Sequence, residues 1–195
     1  MKINLNSFCS NVVFIAVILL IISGCATTTH KAPIYLASSF HERQIDSIAL
    51  MPIADIRKDR SFEIDVEKNI RVPVRKILEK KGYKVSTPDR FAEGKEPPAD
   101  EISEMEIEEL SELGPAASKV LLFVYLEDFL DGQGWKNPGF KIETSATLID
   151  KENHLFLWRD KGIDYNVEGR QPFKPIETCI DNMLSSFPER PDKRK

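Results

Sequence analysis

Few side chains in this sequence combine a reactive type with a spacing that specifies a chemistry. The chain has three cysteines and three histidines. Cys25 has the most defined surroundings, since it closes Leu20-Ile21-Ile22-Ser23-Gly24-Cys25 behind an apolar run that begins at Val12. Before that run Lys2 is the one charged side chain. A short positive start, an apolar stretch of about 7–15 residues and small residues before a cut point describe a secretory signal. A membrane-spanning helix needs roughly 17–25 apolar residues, and Ser23-Gly24 ends this run sooner.

The other candidates for chemistry are sparser. Glu127, Asp128 and Asp131 follow an apolar run closely enough to form an acid/base group at a strand end, although nothing nearby sets one carboxylate's pKa against another. The plainer reading of that trio is a solvated strand terminus. Cys179 is either a reactive thiol or, on the apolar stripe of a helix, a buried side chain that behaves as a small hydrophobe. His30, His41 and His154 fall in three separate connecting segments, so no base stands near a serine nucleophile. The chain lacks the Gly-x-Ser-x-Gly elbow, the phosphate-binding glycine loop and the His-Glu-x-x-His pair, and its His, Cys and carboxylates form no metal cluster. No cofactor and no metal are expected. Trp135, on the Gly/Pro-rich loop Gly132–Gly139, is the candidate partner contact; it either anchors a partner or folds back over the edge of the core.

These residues must be positioned by a modest number of elements. The 195 residues carry 42% hydrophobic and 30% charged side chains, the balance of a soluble globule. Lys and Arg number 27 against 31 Asp and Glu, and removing Lys2 with a signal makes the balance still more acidic. Such a domain has no general attraction to nucleic acid or to anionic lipid. With Cys9 in the signal and Cys25 spent elsewhere, Cys179 has no disulfide partner, and the core alone must hold the fold.

Residues 25–43, with ATTTHKAPIYLASS at Ala26–Ser39, lack both strand alternation and helical period and read as a tether. A single domain is expected over 44–188, and a charged, disordered tail over 189–195. Ile48–Ile53 reads as a buried strand ended by Pro52, and Ala54–Ser61 as a loop. Glu63–Lys81 is an amphipathic helix with Val66, Ile70, Val74, Ile77 and Leu78 inward and Arg71 on the polar side, interrupted by Pro73 and capped by Gly82. A short strand follows at Tyr83–Ser86. Asp100–Glu112 is a second helix with an acidic, solvated outer face, lacking the ligand spacing of a calcium loop. Val120–Leu126 is a central strand. Phe140–Leu148 alternates and returns through a turn at Asp150–Asn153, with Asn153 in the left-handed position, into Leu155–Tyr165. Ile176, Cys179, Ile180, Met183, Leu184 and Phe187 mark a last helix ending before Pro188. The predicted fold class is α/β (α+β): a mixed sheet in the order β-α-β-α-β-β-β-α, with helices packed on it.

Two resemblances extend this reading. Ile22-Ser23-Gly24-Cys25 resembles the lipobox of bacterial lipoproteins, which implies cleavage between Gly24 and Cys25 and acylation of Cys25, for example with palmitate. Two acyl chains anchor stably, since each buried CH₂ contributes about 0.8 kcal/mol. Ala26, rather than Asp, after the cysteine implies in such proteins an outer-membrane anchor facing the periplasm. The stretches IALMPI (48–53), ILEKKGYKV (77–85), KVLLFVYLEDF (119–129) and ATLIDKENHLFLW (146–158) resemble the small α/β domain of the TolB amino-terminal type and of curli-secretion-type lipoproteins. Asn153-His154 stands where that family has Thr-Gly. The resemblance implies a non-catalytic binding or assembly component of the cell envelope with a protein partner. Two alternatives stay open: a small envelope enzyme using the carboxylates or Cys179, and an oligomeric secretion or transport accessory lipoprotein. Lys141 and Glu143 on the outer face of the 140–165 hairpin speak against a lipid-facing barrel strand.

Overall fold

Seven consecutive apolar residues, Val120–Leu126, suit a strand covered on both faces better than a helix, and they form the middle of the sheet. The computed structural model of the chain describes residues 33–92, 94–95, 97–131, 140–166 and 174–191. Its strands are β1 (Tyr35–Leu36), β2 (Ser47–Leu50), β3 (Ala54–Asp55), β4 (Lys84–Ser86), β5 (Val120–Asp131), β6 (Phe140–Asp150) and β7 (Leu155–Asn166). Its helices are α1 (Val72–Lys80), α2 (Ala99–Ile102), α3 (Ile107–Glu112) and α4 (Lys174–Ser185). The sheet runs β1-β7-β6-β5-β2-β4, with β3 also beside β5. β2 is parallel to β4 and β5, whereas β5, β6 and β7 form an antiparallel meander.

The mixed α/β class is the one the periodicities predict, and the element order departs from the expected one in three places. First, residues 35–42, expected within the tether, are structured. Tyr35 and Leu36 pair with Arg159 and Trp158, a 3₁₀ turn follows at Ser38–Glu42, and Phe40 is buried against Phe187. A two-residue strand has no alternation to detect; a distant edge recruits it. Second, Ala54–Asp55 is strand β3 rather than loop, and the polar residues after it are folded by Arg57. That buried guanidinium holds both oxygens of Asp55 at 2.8 and 2.7 Å and the Phe62 carbonyl at 2.9 Å. Third, the acidic helix is two short helices. Ser103–Glu106 separates them, and a Glu106/Glu109 capping box starts the second.

Pro73 acts where the sequence says it must. The Val72 amide bonds Glu67 five residues back, so Glu67–Arg71 is a π-turn leading into α1, with Pro73 in the first turn of the α-helix. A wider turn relieves the clash of a proline ring with the carbonyl four residues before it. Arg71, expected on the polar side, is instead buried and donates to the carbonyls of Leu50 and Pro88, joining the ends of two strand segments. The C-terminal boundary also moves outward. Tyr83 Oη donates to the Pro188 carbonyl at 3.0 Å, the Arg190 amide to the Lys81 carbonyl at 3.0 Å, and Arg190 pairs with Asp46. Residues 189 and 190 therefore belong to the fold and not to a tail.

The two sheet faces have different coverings. On one, Ile70, Val74 and Leu78 with Ile176, Ile180 and Met183 bury Leu50, Leu122, Val124, Ile142 and Leu148. Fully burying each such side chain stabilises by about 1.5–3 kcal/mol. On the other, Ile102, Leu110 and Leu113 from α2, α3 and the residue after α3 cover Met51, Leu121, Phe123 and Ile149. Short helices cover only part of that face, and the far ends of β5, β6 and β7 carry charge there.

Candidate functional site

The predicted carboxylates lead to that charged patch. In a regular strand Glu127 and Asp128 would point to opposite faces. The β5–β6 register instead slips between Leu126 and Asp128, so that Leu126 faces Thr144 and Asp128 faces Glu143, leaving Glu127 as the extra residue of a bulge. Both carboxylates consequently meet lysines. Lys161 reaches Glu127 and lies 3.0 Å from Glu143, while Lys141 lies 3.3 Å from Asp128 and contacts Glu143. Three carboxylates and two ammonium groups alternate in one half-buried ladder.

The electrostatics follow the pairing. Hydrogen bonds from Lys141 and then Lys161 hold the Glu143 carboxyl below its ordinary value, against a smaller desolvation effect. Bonds to Glu143 and to Glu127 hold Lys141 and Lys161, respectively, above theirs. An acid/base catalyst needs a carboxyl poised near the working pH, whereas the pairing with Lys141 and Lys161 favours the ionised form of Glu143. Asp131, the third predicted carboxylate, belongs to β5, but its side chain lies outside the described residues.

Cys179 is fully buried, 3.2 Å from Thr144 Oγ1, and burial pushes its thiol up to about 11. The inert alternative is the one the geometry shows, since a thiolate is the reactive form. His154 Nδ1 lies 3.2 Å from Ser111 Oγ at the β6–β7 turn. His154, not Asn153, takes the left-handed position there, at φ 50°. The reason is Asp150, whose carboxylate accepts from the Asn153 amide and side chain and from the Glu152 amide, fixing Asn153 in the body of the turn. His41 packs edge-on to Phe40. Among the described residues no group of His, Cys, Asp and Glu is placed to hold a metal. Cys25, Gly24 and Trp135 lie outside the described residues. Trp158, expected to be packing, is buried against Phe187 with its indole N–H on Ser186 Oγ at 3.3 Å.

Sequence reasoning missed Glu143, Lys141 and Lys161 as ionic partners of Glu127 and Asp128. The alternation of Phe140–Leu148 did place Lys141 and Glu143 on one face. The bulge that turns both carboxylates toward them leaves no composition signal.

No family model matches the chain, and no curated protein matches it in sequence. Solved structures do match in fold. The PelC dodecamer from Paraburkholderia phytofirmans superposes with a TM-score of 0.50 at 14% identity, covering 80% of this chain and 94% of that one. Lipoprotein GNA1162 from Neisseria meningitidis superposes with a TM-score of 0.52 at 14% identity, covering 71% of this chain and 95% of that one. The chain thus has a fold also found in a lipoprotein, spanning nearly the whole of both matched structures.

Proposed function

We propose that this chain is an exported lipoprotein, anchored through lipid on Cys25 to the outer membrane and facing the periplasm. Its domain acts there as a non-catalytic binding or assembly component. The observation that carries the proposal is Ile22-Ser23-Gly24-Cys25 at the end of an apolar run, upstream of a domain whose fold a lipoprotein shares. The assembly half is supported by PelC, a dodecamer of the same fold. The non-catalytic half is supported by the pairing of Glu127 and Asp128 with lysines and by the burial of Cys179. The Trp135 loop is the contact this reading nominates.

The test is metabolic labelling with a palmitate analogue, followed by fractionation of wild type and Cys25→Ser. Label on the wild type, with the substituted chain unlabelled and released from membranes, is the expected result. Equal membrane recovery of both chains sinks the anchor.

A further inference from the structure

Beside the charge ladder, a groove of about 320 Å³ runs between the strands and the α2–α3 connection. Two cross-strand rows form its floor. Register sets Thr147 next to Arg159, and Ser145 between Tyr125 and Lys161. Residues directly opposite in an antiparallel pair point to the same face, so the hydroxyls and cations of these rows converge. Ile56, Met105 and Leu110 supply an apolar wall across from them.

Two of these groups are open to a ligand. Tyr125 is only 6% exposed and lines the groove, and its hydroxyl has no hydrogen-bond partner among the described residues. The oxygen is not among the buried atoms left unpaired, so it opens onto the groove. Burial pushes its pKa up, against a smaller opposite pull from Arg159, so the phenol remains a donor near that cation. Arg159 itself is exposed, and its guanidinium stacks 3.4 Å from the centre of the Phe156 ring. No carboxylate pairs with it among the described residues, whereas Lys161 beside it is held by Glu127 and Glu143. The stacking fixes the plane of the fork, leaving its N–H groups for a planar anion.

We infer that this groove binds a small molecule carrying one carboxylate on a compact apolar body. Arg159 takes the carboxylate, Tyr125, Thr147 and Ser145 complete its hydrogen bonds, and Ile56, Met105 and Leu110 take the body. Glu127 on the rim disfavours a second negative charge. The volume lies at the low end of the roughly 300–1,000 Å³ of small-molecule sites, which selects for compactness. The inference deepens the binding half of the proposed function but does not depend on the anchor.

NMR titration of the full-length chain in detergent, with N-acetyl-leucine against N-acetyl-leucinamide, tests it, because the probes share a body and differ in the carboxylate. The acid should give saturable shifts at Ser145, Thr147 and Arg159 with a Kd no weaker than about 10 mM, about −2.7 kcal/mol. The amide should bind about tenfold more weakly, given the worth of a charged hydrogen bond. Arg159→Gln should cost a similar factor and Tyr125→Phe a smaller one, with the amide spectrum elsewhere unchanged to show that each folds. Cys25→Ser should bind as wild type, so loss of the anchor and loss of the site are separable. Equal binding of acid and amide, unaltered binding by Arg159→Gln, or no saturation overturns the inference.

Discussion

The two faces of the sheet use the same strands for opposite ends. On the face under α1 and α4, Leu148, Trp158, Cys179 and Met183 are all fully buried and meet without an intervening ion pair. On the other face, α2 and α3 cover the ends of β2, β5 and β6 near Met51, Phe123 and Ile149, and the strands then continue outward bearing Glu127, Asp128, Lys141, Glu143 and Lys161. The first face contributes stability through close packing, where any change of volume is felt. On the second, packing under α2 and α3 stabilises as well, while the ladder beyond it contributes little, since partly exposed ion pairs are each worth about 0.2–1 kcal/mol, but it presents charge in a fixed pattern. The packed surface and the charged surface of this domain are thus separated by the thickness of one sheet.

Substitutions can break or sharpen that division. Trp158→Ala on the packed face should have the largest effect, about 3–5 kcal/mol in urea unfolding; a loss below 1 kcal/mol would place the structural weight elsewhere. Gly162→Ala comes next. Its new Cβ would lie 2.3 Å from the Cys179 carbonyl and 3.0 Å from its Sγ, and overpacking costs about 1–3 kcal/mol. A neutral outcome would mean that α4 lies further from β7 than described.

Glu143→Gln on the charged face should cost least, about 0.5–1 kcal/mol near neutral pH. Its pH dependence carries the sharper information. The Glu143 carboxyl is depressed on folding, so its contribution is whole above its ordinary 4.5 and is lost as pH falls through the folded value. Lys141 and Lys161 are raised, so theirs is whole below the ordinary 10.5 and is lost as pH rises through the folded values. Wild-type Tm should therefore fall at both extremes, and the substituted chain should show a shallower acid limb. Superimposable acid limbs would show that the ladder does not form in solution.

What could be read in the sequence was whatever had a period. The alternation of Phe140–Leu148 placed Ile142 and Leu148 in the core, and the three-and-four spacing from Ile176 placed Cys179 there. What escaped was set by register or by distant pairing. Tyr35–Leu36 becomes a strand only because the edge of β7 is there to receive it. Tyr125 and Arg159 are far apart in sequence and share a groove through pairings that pass along β6. The left-handed residue moved from Asn153 to His154 because the Asp150 side chain bonds Asn153. The sharpest motif, the one that ends at Cys25, is read from contiguous residues and asks nothing of the fold.

The bulge at Glu127 has a consequence for variation across generations. Within a paired strand, gaining or losing one residue inverts the orientation of everything beyond it. Glu127 is one such extra residue, and Leu126 and Asp128 on either side of it face the adjacent Thr144 and Glu143. Removing it would leave those flanking pairs in the register of a regular strand, so the outer surface would change charge there with the inward alternation kept.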